Sequence, residues 1–134
     1  MDFLVNLDVD DLDKAVDFYS SVLGLQVGRR FETLGVEMLG GPTPIYLLVK
    51  PCDTQASATT SQRRIYRRHW TPVHLDFVVD DIGAAVERAL TAGALQERPI
   101  GTYPWGKLAL MADPFGHGFC FVQFMGKGYD EITQ

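Results

Sequence analysis

Apolar and polar residues alternate in two short stretches of the chain, Val5–Val9 and Leu75–Val79. A period of two predicts a β-strand with one buried face in each stretch. An Asp pair follows each stretch, Asp10–Asp11 and Asp80–Asp81, and apolar residues then recur at spacings of three and four as far as a glycine. This pattern predicts a helix after each strand, with one Asp of the pair as its N-cap.

The two stretches belong to an internal repeat. Displacing the sequence by 70 positions aligns Val9–Leu12 with Val79–Ile82, and matches continue without a gap through the helix into the next strand. Such a match implies a duplicated supersecondary unit. The further strand candidates are Leu25–Phe31, Val36–Leu39 and Ile45–Val49 in the first copy, and Leu95–Ile100, Lys107–Ala112 and Gly118–Phe124 in the second. We therefore predict an α+β fold of two tandem βαβββ modules, with curved mixed sheets around a cup.

This arrangement resembles the vicinal oxygen chelate superfamily, which includes glyoxalase I, extradiol dioxygenases, fosfomycin resistance enzymes and bleomycin-binding proteins. The resemblance rests on the tandem modules, on Asp81-Ile82 at the start of the second helix and on Ala112–His117 in the final hairpin. It covers nearly the whole chain and implies one domain over residues 1–134, with modules 1–51 and 72–134 joined by a linker 52–71. It also implies a cavity that a second subunit often completes, while one fold hosts many activities.

Enzymes of the superfamily resemble one another in a divalent metal site, with a His on the first strand of each module and a carboxylate or His on the last. Counting from the Asp pairs and the final hairpin, these positions hold Leu4, Leu47 (or Tyr46 if the first hairpin is one residue longer), His74 and Cys120. Leucine offers no donor atom, so we expect no metal and no other cofactor; if a metal binds, His74 is its ligand. Zinc would need Asp8 or Asp76 to reach in, and a strand spacing of two residues separates each of them from the ligand level.

Strand parity assigns polar side chains to the cup. If the odd-numbered apolar residues of Val5–Val9 pack on the helix, the even-numbered ones face the cup, and the second module follows the same parity. The polar side chains assigned in this way are Asn6, Asp8, His74 and Asp76, with Cys120 on the closing strand. Burying such groups is costly unless they are paired or meet solvent or ligand. Two interpretations stay open: they satisfy one another across the strands, or they line a binding cavity.

Aromatic residues at strand ends and in hairpins favour the cavity, since flat rings stack on planar ligands. Trp105 is the strongest candidate because Pro104 and Gly106 flank it at a strand entrance, whereas Trp70 is interpreted as an anchor of the linker. The acidic side chains of the cup favour neutral or cationic aromatic compounds over anions. The predicted ligand-binding set is Asn6, Asp8, Tyr46, His74, Asp76, Trp105, Phe115 and Cys120.

Composition and charge narrow the partners further. A chain with 46% apolar and 22% charged residues is typical of a globular protein, and a net charge of -5 argues against a nucleic-acid surface. No apolar run is long enough for a membrane span and no signal peptide is recognised, so we expect a cytoplasmic protein. Cys52 and Cys120 are expected to be free thiols. The basic cluster Arg63–Arg68 is interpreted as a solvated linker, with an anion clamp or a dimer contact as the alternatives.

The leading hypothesis is metal-independent binding of a small aromatic or cationic molecule by a homodimer, in the manner of drug-binding resistance proteins. The alternatives are a metal-dependent lyase or dioxygenase with an altered ligand set, and a module whose closed cup serves dimerisation or regulation. Whether the protein is an enzyme stays open. The sequence has no GxSxG, HExxH or Walker motif, and a thiolate–imidazole pair of Cys120 and His74 lacks an assignable third group.

Overall fold

The computed structural model describes residues 1–134, which form two compact units, Met1–Arg67 and Arg68–Gln134. Each unit contains one α-helix and one open mixed sheet, of four strands in the first and five in the second. This is the predicted α+β architecture. Neither helix has the length and apolar character that a bilayer-spanning helix requires.

The first unit follows the predicted βαβββ order. Its elements are β1 (Val5–Val9), α1 (Leu12–Leu23), β2 (Gln26–Arg30), β3 (Gly35–Leu39) and β4 (Ile45–Val49). The strand order in the sheet is β1-β4-β3-β2, with β1 parallel to β4 and the other pairs antiparallel. Fully buried apolar side chains of the sheet and of α1 form the core of this unit: Val9, Ala15, Phe18, Val36, Met38 and Leu47.

The second unit repeats this plan with one more strand. Its elements are β5 (Leu75–Val78), α2 (Ile82–Thr91), β6 (Leu95–Gln96), β7 (Gly101–Tyr103), β8 (Gly106–Ala112) and β9 (Gly118–Phe124), followed by a short 3-10 helix, Gly128–Glu131. The order is β5-β9-β8-β6, β7 also pairs with β8, and β5 runs parallel to β9. The first and last strands of each unit are therefore neighbours.

Both helices begin where the Asp pairs predict. The Asp11 carboxylate accepts a hydrogen bond from the backbone N–H of Lys14 at 3.1 Å, and Asp81 accepts one from Ala84 at 3.0 Å. Each bond satisfies an N–H group that lacks a partner within the first helical turn. The chain leaves α1 through Gly24, whose φ of 66° is the left-handed conformation that favours glycine.

The strand predicted over Leu95–Ile100 is corrected by the structure. Two shorter strands, β6 and β7, pair with β8 in its place. Pro99 lies between them, and proline has no N–H group to donate to a neighbouring strand. The pairing therefore stops after Glu97, whose N–H donates to the carbonyl of Leu110 at 2.9 Å, and resumes at Gly101.

The segment after β4 is folded against the first unit. Arg64, whose side chain is 19% exposed, donates to the Asp8 carboxylate at 2.8 Å and to the carbonyl of Gln55. The Tyr66 hydroxyl donates to the carbonyl of Lys50. The compact first unit extends as far as Arg67, so most of the segment interpreted from its composition as a linker belongs to this unit.

Candidate functional site

Strand register decides which residue of β4 is the counterpart of Cys120. In the first unit Asn6 lies beside Tyr46, and in the second unit the equivalent Asp76 lies beside Cys120. Leu47 is fully buried and, one residue along, belongs to the opposite face of the strand. The alternative with the longer hairpin is therefore the one that the structure supports, and Tyr46 occupies the superfamily position on the last strand of the first unit.

Tyr46 belongs to a polar network around Glu37, a residue that sequence reasoning missed. Glu37 lies beside Tyr46 on β3, is 5% exposed, and accepts hydrogen bonds from the Tyr46 hydroxyl at 2.9 Å and from Arg29 Nη2 at 2.6 Å. The backbone N–H of Arg29 also donates to this carboxylate. These bonds from Arg29 are the main reason why the pKa of Glu37 falls to about 2. The Tyr46 hydroxyl is thus committed to an internal ion pair.

The carboxylate of Asp8, also in the first unit, is paired with Arg64 Nε at 2.8 Å. The pairing gives a local reason for an acid on this strand, because the two charges neutralise each other. This pairing differs from the expectation that the charge of Asp8 attracts a cationic ligand. Asn6, on the same strand, is exposed.

In the second unit, His74, Asp76 and Cys120 form one cluster. His74 Nε2 lies 3.2 Å from Asp76 Oδ1, and the donor atoms of the three side chains all lie within 4.8 Å of one another. From the sequence, Asp76 was expected to lie too far along the strand to join His74 and Cys120, because it is two residues away from the usual ligand position. Residues two apart on a strand share a face about 7 Å apart, and the long imidazole spans that gap. Asp76 therefore completes the cluster.

Cys120 is the buried member of this cluster. Cys120 is 5% exposed, and burial, followed by the nearby charge of Asp76, raises the pKa of its thiol to about 12. The thiol is therefore protonated near neutral pH. This argues against a thiolate–imidazole nucleophile.

The cluster borders a pocket of about 240 Å³ that lies within the second unit. Its lining combines an apolar floor with an ion pair, an indole and an imidazole: Arg68, Trp70, Thr71, His74, Glu97, Leu110, Met111, Gly118, Phe119 and Cys120. Arg68 Nη2 lies 3.0 Å from Glu97 Oε1. Gly118 leaves room for this guanidinium, because a Cβ atom there would lie 2.6 Å from Arg68 Nη2.

The tryptophan at this pocket is Trp70, which is 79% exposed and which sequence reasoning assigned to the linker. The sequence feature that could have identified Trp70 as a pocket residue is its position four residues before His74. Trp105, the predicted ligand contact, stacks on Tyr103 with ring centroids 5.2 Å apart and also contacts Tyr129. It does not line the pocket. Phe115, another predicted contact, is 1% exposed and belongs to the core.

The four superfamily metal positions are Leu4, Tyr46, His74 and Cys120 in this chain. Leu4 has no donor atom, and the Tyr46 hydroxyl donates to Glu37. Burial raises the pKa of the Cys120 thiol, so a metal would have to displace its proton on binding. These residues therefore do not fit the four-donor site of the superfamily, and only the three-donor cluster of the second unit offers ligand chemistry.

The duplicated strand–helix–sheet unit is that of a glyoxalase-type protein. The chain belongs to the glyoxalase-like domain family, whose model matches residues 4–122. Its structural neighbours lie in the glyoxalase, bleomycin resistance and dioxygenase superfamily, as the resemblance in sequence predicted.

Individual relatives give the range of this similarity. Anthracycline biosynthesis protein DnrV from Streptomyces peucetius is 33% identical over 128 residues, which are 93% of this chain and 42% of that protein. The chain thus spans less than half the length of this relative. The fosfomycin resistance protein FosX from Listeria monocytogenes has a TM-score of 0.73 at 16% identity, over 98% of this chain and 96% of that one. A glyoxalase/bleomycin resistance protein/dioxygenase family enzyme from Burkholderia phytofirmans PsJN has a TM-score of 0.71 at 19% identity, over 91% and 97% of the two chains. At identities of 16% and 19%, the likeness to these two structures shows a shared fold alone.

Proposed function

We propose that the protein binds a small planar organic molecule, neutral or cationic, in the pocket of the second unit, and that no metal is needed for binding. The observation that carries this proposal is the composition of the pocket. An exposed indole, Trp70, lines the pocket together with apolar side chains that include Phe119 and Leu110, and this combination suits a flat apolar ligand.

The charges around the pocket favour a cation. Arg68 and Glu97 pair with each other and largely cancel. Asp76, 39% exposed in its side chain, contributes a further negative charge beside the imidazole of His74. Since it is partly exposed, water screens this charge, and we expect a modest preference.

The size of the pocket limits the ligand. A volume of about 240 Å³ is below the usual range of pockets for drug-sized molecules. One or two fused rings fit the second unit on its own. The name of one relative concerns anthracyclines, which are planar fused-ring molecules, and this supports a flat ligand.

Three naphthalene derivatives of similar shape test the proposal: 1-naphthylmethylammonium, 1-naphthylmethanol and 1-naphthoate. We expect the dissociation constant to rise in that order, by about threefold to tenfold between cation and anion. Trp70→Phe is expected to weaken all three probes, while the matched variant Trp105→Phe leaves them unchanged. Equal loss with both variants, or no binding of any probe, contradicts the proposal.

Asp76→Asn tests the source of the cation preference. It should reduce the affinity for 1-naphthylmethylammonium severalfold and leave that for 1-naphthylmethanol unchanged. Asp8→Asn is the matched control, because the charge of Asp8 is paired with Arg64. An equal effect of the two variants on the cation would show that the preference is a property of the whole surface.

A metal-dependent reaction is the second candidate function, and the spacing of His74, Asp76 and Cys120 favours it. Catalytic zinc sites use three protein ligands and an open position, and this cluster contains three donors. A titration with Zn²⁺ distinguishes the two candidates. Binding that is stoichiometric, submicromolar and lost in both His74→Ala and Cys120→Ser supports the metal-dependent function, whereas probe binding unaffected by EDTA supports the metal-independent one.

We also propose that the working protein is a homodimer. The first strands β1 and β5 are edge strands of their sheets, and exposed apolar residues lie on them or just before them. These residues are Phe3, Leu4, Val73 and Val78, each more than 60% exposed. Unpaired edges flanked by apolar side chains are surfaces that proteins usually cover.

A further inference from the structure

A carboxylate in the second-unit pocket is held through one of its two oxygens. Glu97 lines the pocket beside Arg68, which donates to Glu97 Oε1 from Nε at 3.1 Å and from Nη2 at 3.0 Å. Both bonds go to the same oxygen. Glu97 Oε2 therefore keeps its capacity to accept a hydrogen bond from a ligand.

We propose that Glu97, positioned by Arg68, accepts a hydrogen bond from an N–H group at the edge of the ligand's rings. The ligand class is then an aromatic compound of one or two rings with such a donor, as in indoles, ring amides and aromatic amines. This inference rests on the proposed function, because Glu97 selects only among molecules that the pocket binds. It adds a selection by hydrogen bonding, which acts on neutral ligands as well as on cations.

The first support is the way the guanidinium of Arg68 is held. A Cβ atom on Gly118 would lie 2.6, 2.9 and 3.1 Å from Arg68 Nη2, Cζ and Nη1. Since the central carbon is nearly as close as the two nitrogens, the guanidinium turns its flat face toward Gly118. Nη1 also donates to the carbonyl of His69. These contacts direct the Nε and Nη2 edge at Glu97, so the carboxylate is oriented before a ligand arrives.

The second support is the backbone of Glu97. Its N–H group donates to the carbonyl of Leu110 on β8 at 2.9 Å, and Leu110 is itself part of the pocket lining. The backbone pairing fixes the start of the Glu97 side chain, and Arg68 fixes its end. In this arrangement Glu97 is the residue that contacts the ligand and Arg68 is a positioning residue.

Charge pairing and hydrogen bonding have different consequences for selection. The opposite charges of Arg68 and Glu97 largely cancel at a distance, whereas a hydrogen bond acts at contact and is stronger when its acceptor is charged. The Glu97 side chain is 35% exposed, so water solvates it in the empty pocket and part of the gain is offset. We expect a preference of about tenfold for a ligand with the donor over one without it.

Indole and benzofuran test this selection, because they share one shape and differ at a single ring position. Indole has an N–H donor there, and benzofuran has an oxygen acceptor. Ligand-observed NMR titrations of the wild-type protein should give a dissociation constant about tenfold lower for indole. This comparison uses the unaltered protein and so does not depend on the folding of a variant. Equal affinities, or tighter binding of benzofuran, overturn the role of Glu97.

Glu97→Gln exchanges an acceptor for a donor at the same place. The amide oxygen of glutamine takes the two bonds from Arg68, which leaves its NH₂ group for the ligand. We expect benzofuran to bind this variant at least as tightly as indole does. The matched variant Glu87→Gln changes an exposed carboxylate of α2 outside the pocket lining and should keep the preference for indole. An unchanged preference in Glu97→Gln overturns the assignment.

Arg68→Met tests the positioning role. We expect the preference for indole to fall severalfold while the affinity for benzofuran changes by less than twofold, because only the orientation of Glu97 is lost. Arg68→Lys should restore part of the preference, since an ammonium group still pairs with the carboxylate but lacks the planar fork of donors. A preference that stays tenfold in Arg68→Met, or an equal loss of affinity for both ligands, contradicts the positioning role.

The outcomes separate this inference from the proposed function. If indole and benzofuran bind equally well and Trp70→Phe weakens both, the role of Glu97 is overturned and the binding function stands. If neither these two compounds nor the naphthalene derivatives bind, both the inference and the proposed function fail.

Discussion

A buried carboxylate beside a guanidinium makes the stability of the first unit depend on pH. The pKa of Glu37 falls from 4.5 to about 2 on folding, so the folded state binds fewer protons than the unfolded state between these values. The stabilisation is complete above pH 4.5 and is lost as the pH falls through about 2. The group therefore contributes to stability at neutral pH.

The variant Glu37→Gln should test this contribution. We expect a lower melting temperature than that of the wild type at pH 7, because Arg29 loses its charged partner, and a difference that shrinks as the pH approaches 2. Thermal unfolding between pH 2 and 7 measures it. The control Glu87→Gln changes an exposed carboxylate of α2 and should leave the melting temperature unaltered. A constant difference across the pH range would contradict the assignment.

The two cysteines should differ strongly in reactivity. Cys52 is exposed, whereas Cys120 is buried with a pKa raised from 9.0 to about 12. A shift of this size lowers the thiolate fraction near neutral pH roughly a thousandfold. A disulfide reagent added to the native protein at pH 8 should therefore label one thiol quickly, and both after denaturation.

The variant Cys52→Ser identifies the fast thiol. Its native form should show almost no rapid labelling. Rapid reaction of one thiol in this variant would contradict the burial and the raised pKa of Cys120.

Single residues were predictable from the sequence where their partner is close in the chain. The caps Asp11 and Asp81 bond to N–H groups three residues ahead, so local spacing was sufficient. The Asp8–Arg64 pair joins residues 56 positions apart, and no local sequence pattern predicts it. Glu37 was missed for a related reason: alternation along β3 marks it as exposed, and only the bonds from Arg29 and Tyr46 explain its burial.

Among the secondary-structure elements, the β8–β9 hairpin depends on one glycine. Gly106 has a φ of 150°, and a Cβ atom there would lie 2.1 Å from the carbonyl oxygen of Gln123 on β9. Gly106→Ala should lower the free energy of unfolding by about 2–4 kcal/mol, since it adds backbone strain and a clash with main-chain atoms. Chemical denaturation measures the change.

The matched control is Gly41→Ala in the turn before β4. A Cβ atom there would be no closer than 3.7 Å to a neighbouring atom, so the free energy of unfolding should change by less than about 0.5 kcal/mol. If both variants were equally stable, β8 and β9 could not approach as closely at Gly106 as described.

The elements themselves were largely predictable, because one buried face fixes the parity of each strand. Register was harder: the choice between Tyr46 and Leu47 needed the pairing of β1 with β4, which the length of the hairpin alone did not decide. The division of the 95–100 stretch depends on Pro99, a residue visible in the sequence whose effect on pairing was not weighed.

For the whole chain, the internal repeat was the most informative feature of the sequence. It identified two equivalent units and the family, because a duplicated pattern constrains both copies at once. The pocket of the second unit was predicted in part, through His74 and Cys120. Trp70 and the Arg68–Glu97 pair were not predicted, because their positions depend on how the chain enters the unit rather than on any periodic pattern.

Association is the property of the whole molecule that we expect to be most sensitive to the exposed edge strands. Val78 on β5 is 64% exposed, and an apolar side chain on an edge strand favours pairing with a second copy. Light scattering coupled to size exclusion should give a mass near twice 14.9 kDa at micromolar concentration. Val78→Lys should shift the mass toward that of a monomer, because a charge on an edge opposes edge-to-edge pairing, whereas Leu34→Lys, at an exposed residue of the turn before β3, should not. A monomeric mass for the wild type at all concentrations would show that these edges stay open to solvent.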